Sequence, residues 1–140
     1  MPITSPSRPT RVNERVLVVD DDEAVLEMLV LALRRLEYRA VGFTNPAEAI
    51  EAFRAERTGW DAVIADHNMP GIDGVTACRM IKAARSEIPF ILCTGLDDGE
   101  IERIAIAAGA DAFFRKPVVP AELAATLRVL LGTMAEHAFG

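Results

Sequence analysis

The chain is poor in the residues that build metal clusters and covalent frameworks. Only two cysteines, Cys78 and Cys93, and two histidines, His67 and His137, occur in 140 residues. Neither pair has zinc-like spacing, and there is no small secreted scaffold for a disulfide to staple. Both thiols therefore read as core packing. Positive charge is also scarce, with 15 Lys and Arg against 21 Asp and Glu and a net charge of -6. That balance disfavours direct contact with nucleic acid. No apolar run approaches the ~18 residues of a membrane span, and Met1 is not followed by an apolar signal segment. A cytoplasmic protein without membrane contact is expected. Repeats, heptads and low-complexity tracts are missing too. What is present is 51% hydrophobic and 26% charged, the composition of an ordinary globular domain, and the length suits one core.

Residues 1–14 hold Pro2, Pro6 and Pro9 among Ser, Thr and Arg without apolar periodicity, which predicts a disordered tail. The folded domain is expected over 15–132, with 133–140 a C-terminal tail. Val16 to Val19 suits a central strand and ends in Asp20-Asp21-Asp22. A helix follows, in which Val25, Met28, Leu29, Ala32, Leu33 and Leu36 recur at helical spacing. Arg39 to Phe43 is a second strand, and Asn45-Pro46 reads as an N-cap with Pro at the first helical position. Val63, Ile64 and Ala65 are continuously apolar, as a strand covered on both faces should be, and end in Asp66 before an Asn68-to-Gly71 turn. Asp73 caps a third helix to about Arg85. Pro89 to Cys93 is a fourth strand ending in Thr94, and a fourth helix runs from Asp97 to Ala108. Gly109 closes it in a left-handed position. Asp111 to Arg115 is a fifth strand ending in Lys116-Pro117, and a last helix spans Pro120 to about Leu131.

Five strand-then-helix units in succession predict an α/β fold, a doubly wound parallel sheet with helices on both faces. Such a sheet aligns the carboxyl ends of its strands along one edge, where open α/β sheets place their sites. Asp20, Asp21, Asp66, Thr94 and Lys116 therefore converge although they are distant in sequence. Three carboxylates together repel one another unless a cation intervenes, and such oxygen ligands suit a hard divalent ion such as Mg²⁺. Lys116 supplies a positive charge for a phosphoryl oxygen and Thr94 a hydroxyl. Phosphoryl transfer needs positioning and charge stabilisation more than a strong base, so this set suffices to form an aspartyl phosphate on Asp66.

With Leu17-Val18-Val19-Asp20-Asp21-Asp22, Ile64 to Gly74, Leu92-Cys93-Thr94-Gly95 and Phe113-Phe114-Arg115-Lys116-Pro117 in this order, the chain resembles the CheY-like receiver domains of two-component response regulators from Val16 to about Leu131. The resemblance implies a flavodoxin-like sheet of order 2-1-3-4-5 with five helices. It implies that Asp66 accepts a phosphoryl group from a sensor histidine kinase or histidine phosphotransfer protein, in a Mg²⁺-dependent step. Asp20, Asp21, Asp66 and the backbone carbonyl of Asn68 would hold the metal. Thr94 and Phe113 would be the switch pair, and Lys116-Pro117 a cis peptide. The output would be a protein partner on the fourth helix, fifth strand and last helix, where Ile101, Ile104 and Ile106 suggest a partner or a second copy. Val118, Gly95 and Leu96 depart from the commonest family pattern, and Leu96 is expected to restrict the attacking water.

The remaining readings are bland ones or other classes. His67 reads as a rim side chain, His137 as part of a frayed terminus, and Asp97-Asp98 as a cap. A haloacid-dehalogenase-like phosphatase would instead use Asp20 as nucleophile and Asp22 as acid and base. A pseudo-receiver would bind partners without phosphorylation. The chain is read as a single-domain regulator or phosphorelay intermediate, with a receiver cut from a hybrid histidine kinase as the alternative. It is a signalling protein that acts only on its own phosphorylation and dephosphorylation, and not a turnover enzyme.

Overall fold

A computed structural model describes residues 13–95 and 99–139, with side chains described as far as residue 132. The tail expected over 1–14 lies outside the described residues up to residue 12, as do Leu96, the Asp97-Asp98 cap and the side chain of His137. Glu14, counted in that tail, is buried at 4% exposure, so the fold begins earlier than expected.

The elements alternate as β1 (Arg15–Val19), α1 (Glu23–Arg35), β2 (Arg39–Phe43), α2 (Pro46–Ala55), β3 (Ala62–Asp66), α3 (Gly74–Ala84), β4 (Phe90–Thr94), α4 (Gly99–Ala108), β5 (Ala112–Arg115) and α5 (Pro120–Phe139). All pairings are parallel and the strand order is β2-β1-β3-β4-β5. The doubly wound α/β sheet read from the sequence is therefore the observed one. Among the described residues, no helix is long and apolar enough to cross a membrane.

Continuous apolar strands are explained by two cores, one on each face of the sheet. Leu17, Val19, Val63, Ala65, Phe90 and Leu92 pack with residues of α2, α3 and α4, including Phe53, Cys78, Ile81 and Ala105. Their strand neighbours Val16, Val18, Ala62, Ile64, Ile91 and Cys93 pack the other way, with Leu26, Leu29, Val30 and Leu33 of α1 and Leu123 and Leu127 of α5. Alternate side chains thus serve different cores, which leaves the polar residues Arg15, Asp66 and Thr94 to the ends of these strands. Both cysteines are buried free thiols, as expected.

Local signals explain the helix ends. Asp22 caps α1 by accepting from the backbone N–H groups of Ala24 and Val25, and Asn45 caps α2 through those of Ala47 and Glu48. Gly109, with φ +108, closes α4 in a backbone region that side chains disfavour, and Gly71, with φ +84, closes the turn after β3. The Lys116-Pro117 peptide is cis.

Two expectations need correction. The inner stripe of α1 is Leu26, Leu29, Val30 and Leu33, whereas Met28 and Leu36 are 42% and 52% exposed. An almost wholly apolar helix carries more than one stripe of the right period, and the sheet selects among them. Likewise α5 continues through residues read as a C-terminal tail and ends at Phe139. Residues 132–139 contain no Pro and one Gly, so nothing in them stops a helix already nucleated upstream.

Candidate functional site

Register assembles the site. Val19 lies beside Ala65 and Asp66 beside Cys93, so Asp20 leaves β1 level with Asp66 at the end of β3. Thr94 lies beside Arg115, which brings Lys116 just past the end of β5, and the Lys116 N–H donates to the Thr94 carbonyl at 2.8 Å. Sequence-distant residues meet because four parallel strands stop at one level.

The acidic triplet after β1 divides its labour. Asp22 turns outward to cap α1, and its own N–H donates to Asp20 Oδ1 at 2.9 Å. That bond leaves Asp20 Oδ2 facing Lys116. Oxygens of Asp20, Asp21 and Asp66 all lie within 4.8 Å of one another, with Asp20 and Asp66 buried and Asp21 exposed. The Lys116 ammonium stands 2.9 Å from Asp20 Oδ2 and 3.0 Å from Asp66 Oδ1.

One cation against three carboxylates leaves a net negative site. Asp66 is 3% exposed, and burial, reinforced by the charge on Asp20, pushes its carboxyl above the ordinary aspartate range despite the pull of Lys116 and of the Asn68 N–H. Burial opposes the charge on Lys116, yet its contacts with Asp20 and Asp66 outweigh that and raise its pKa. Asp66 Oδ1 touches the ammonium, but no donor is aligned on it as a hydrogen bond. A buried carboxylate oxygen with unsatisfied lone pairs, flanked by two further carboxylates, fits a hard divalent cation.

Thr94 is fully buried, and its hydroxyl donates to Asn68 Oδ1 at 3.1 Å. The Gly95 N–H points at the same oxygen from 3.3 Å. The sequence reading gave Asn68 only a backbone role and missed this side-chain contact, for which its position two residues beyond Asp66 was the available signal. Phe113 is not at the site. It packs half-buried on the core of the α4 face, with the Arg115 guanidinium 5.6 Å above its ring and Arg115 paired to Glu102 of α4 at 3.4 Å. His67 accepts the Val75 N–H through Nδ1, a loop-to-helix tie.

This arrangement defines a class, a parallel α/β domain with an acidic pocket and a lysine at the sheet edge. The chain belongs to the response regulator receiver domain family, whose model matches residues 16–128. It is 34% identical over 118 residues to the DNA-binding response regulator MtrA of Mycolicibacterium paratuberculosis, a match covering 84% of this chain and 51% of that protein. The chain thus spans about half the length of the curated relatives it matches. A response regulator receiver domain protein from Clostridium thermocellum superposes with a TM-score of 0.83 at 25% identity, covering 86% of this chain and 96% of the other. The receiver domain of the sensor histidine kinase PA1611 from Pseudomonas aeruginosa PAO1, with a magnesium ion coordinated in the active site cleft, gives 0.77 at 26% identity, covering 86% and 98%.

Proposed function

We propose that this chain is a phosphorylation-controlled signalling receiver whose acceptor is Asp66. The observation that carries the reading is the buried Asp66 carboxylate, in contact with Lys116 and grouped with Asp20 and Asp21. The donor is a phosphohistidine on a sensor kinase or phosphotransfer protein. An Asp66 oxygen attacks phosphorus, the phosphorus–nitrogen bond breaks, and its electron pair returns to the imidazole, which takes up a proton. Water later attacks phosphorus, the bond from phosphorus to the Asp66 oxygen breaks, and inorganic phosphate leaves with the carboxylate restored. Asp20, Asp21, Asp66 and the Asn68 carbonyl are the proposed Mg²⁺ ligands. The ion, when bound, neutralises carboxylates and phosphoryl oxygens. Lys116 pairs with a phosphoryl oxygen, and Thr94 donates its hydroxyl to another.

The phosphatase alternative fares worse, because its required acid and base, Asp22, is committed to the cap of α1. Output is proposed to pass through protein contact on α4, β5 and α5. Of the residues of α4 only Ala105 is buried, and Ile106 is 60% exposed. MtrA is named as DNA-binding over a longer chain, of which the match covers 51%, while the acidic balance of this one argues for a protein partner rather than nucleic acid.

Acetyl phosphate with Mg²⁺, followed by reductive trapping and peptide mapping, tests the acceptor. Label on Asp66, lost in Asp66→Asn and without Mg²⁺, is expected. Label on Asp20 would establish the phosphatase reading instead, and no label under any Mg²⁺-containing condition would leave a pseudo-receiver.

A further inference from the structure

We infer that the Asn68 side chain is a latch on Thr94, holding its hydroxyl away from the acceptor until a phosphoryl group competes for it. The inference rests on Asp66 being the acceptor. A threonine hydroxyl has a single proton to donate. Here it is directed to Asn68 Oδ1, 3.1 Å away. The assignment of that atom follows from chemistry, because the Gly95 N–H, 3.3 Å from the same oxygen, can only donate. Asn68 therefore presents its carbonyl to both donors, and Thr94 must give this bond up before it can donate to a phosphoryl oxygen.

Asn68 also bears on the acceptor, since its backbone N–H favours the charged form of the Asp66 carboxyl. One residue thus acts on the proposed acceptor and holds the hydroxyl that would respond. The Asn68 side chain is exposed, so water competes for its carbonyl and the latch is worth little more than one ordinary hydrogen bond. It resists activation without blocking it. Gly95 suits this role because nothing lies within 4 Å of where a Cβ would stand, leaving the segment beside Thr94 room to move.

The test is calorimetric titration with Mg²⁺ and beryllofluoride, a phosphoryl mimic, of wild type, Asn68→Ala, Thr94→Ala and the double variant. Asn68→Ala keeps the backbone groups, so the proposed metal ligand set, with its Asn68 carbonyl, persists. Freed of the latch, it is expected to bind the mimic about threefold to tenfold more tightly than wild type, the net worth of one hydrogen bond. In the Thr94→Ala background the same substitution should change nothing, because the two residues act through each other. Binding by Asn68→Ala equal to or weaker than wild type overturns the latch, and so does a gain that persists without Thr94. Wild-type binding with no Asn68–Thr94 coupling removes the latch alone. Absence of beryllofluoride binding and of Asp66 labelling in wild type removes the acceptor reading and the latch with it.

Discussion

Asp66 is kept in the fold at a cost. Its carboxyl is held above the ordinary range mainly by burial, so folding favours its protonated form. Stability linked to that proton is fully present below the unfolded aspartate value of about 3.9 and is lost as pH rises through the higher folded value. At pH 7 the ionised group therefore weakens the fold, and the same charge is what the proposed acceptor role requires. Asp66→Asn removes the charge at nearly constant shape and leaves Lys116 its contact with Asp20 at 2.9 Å. Urea unfolding in chelator should give the variant a higher midpoint than wild type at pH 7, with the difference shrinking as pH falls below the carboxylate range. Adding Mg²⁺ should narrow the gap at pH 7, because the ion stabilises only the protein with its full carboxylate set. A variant less stable than wild type at pH 7 in chelator would mean that the attraction of Lys116 outweighs burial.

The elements around that residue tolerate little movement where α3 meets β3. A Cβ built on Gly74 would lie 2.6 Å from the Asp66 carbonyl oxygen and 2.7 Å from His67 Cα, and would overlap the Leu92 side chain. Backbone cannot yield as a side-chain tip does, so Gly74→Ala must displace either the first turn of α3 or the end of β3. The expected loss is about 1–3 kcal/mol in urea unfolding, with slower Asp66 labelling; a variant with unchanged midpoint and unchanged labelling would show that the helix relaxes freely. The need for glycine here is invisible in the sequence, where Gly74 looks like part of a turn. Strands were legible because both faces are covered, which makes apolar runs unambiguous. The phase of α1 was not, because it depends on which of several apolar stripes the sheet accepts. The tie across α3, β4 and β5 was also hidden. Lys82 Nζ donates to the Ile88 carbonyl at 2.6 Å and pairs with Asp111 at 2.9 Å, while Asp111 accepts the Phe90 N–H. Lys82 falls at an apolar position of the helical pattern because its stem packs inward and its charge emerges beside Asp111. In the pocket, Asp20, Asp21, Asp66 and Lys116 could be brought together by counting strands. Asn68 was placed beside them only by standing two residues beyond Asp66, and its side-chain contact with Thr94 depends on an irregular loop with no period to read.

At the scale of the whole molecule, the proposed signal has to travel from the pocket to a surface, and α4 buries only Ala105 among its residues. Ile101 and Ile104 are half-buried, Ile106 is exposed, and the charged rim of the helix carries both signs, with Arg103 paired to Glu100 and Arg115 of β5 paired to Glu102. A surface with an apolar centre and mixed charge at its edge can face a copy of itself across a two-fold axis, each cation meeting an anion of the other. Arg115 links that rim to Phe113, so movement of the aromatic on phosphorylation would rearrange the same charges. Small-angle scattering with Mg²⁺ and beryllofluoride is expected to give a mass approaching twice the 15.2 kDa chain, falling back to a single chain without the mimic. Ile106→Glu should hold the protein at one chain in both conditions while Asp66 still accepts label, because the substitution places a charge at the centre of the contact and touches nothing in the pocket. A wild-type mass that stays at one chain with the mimic bound would rule out self-association and leave this face to a different protein.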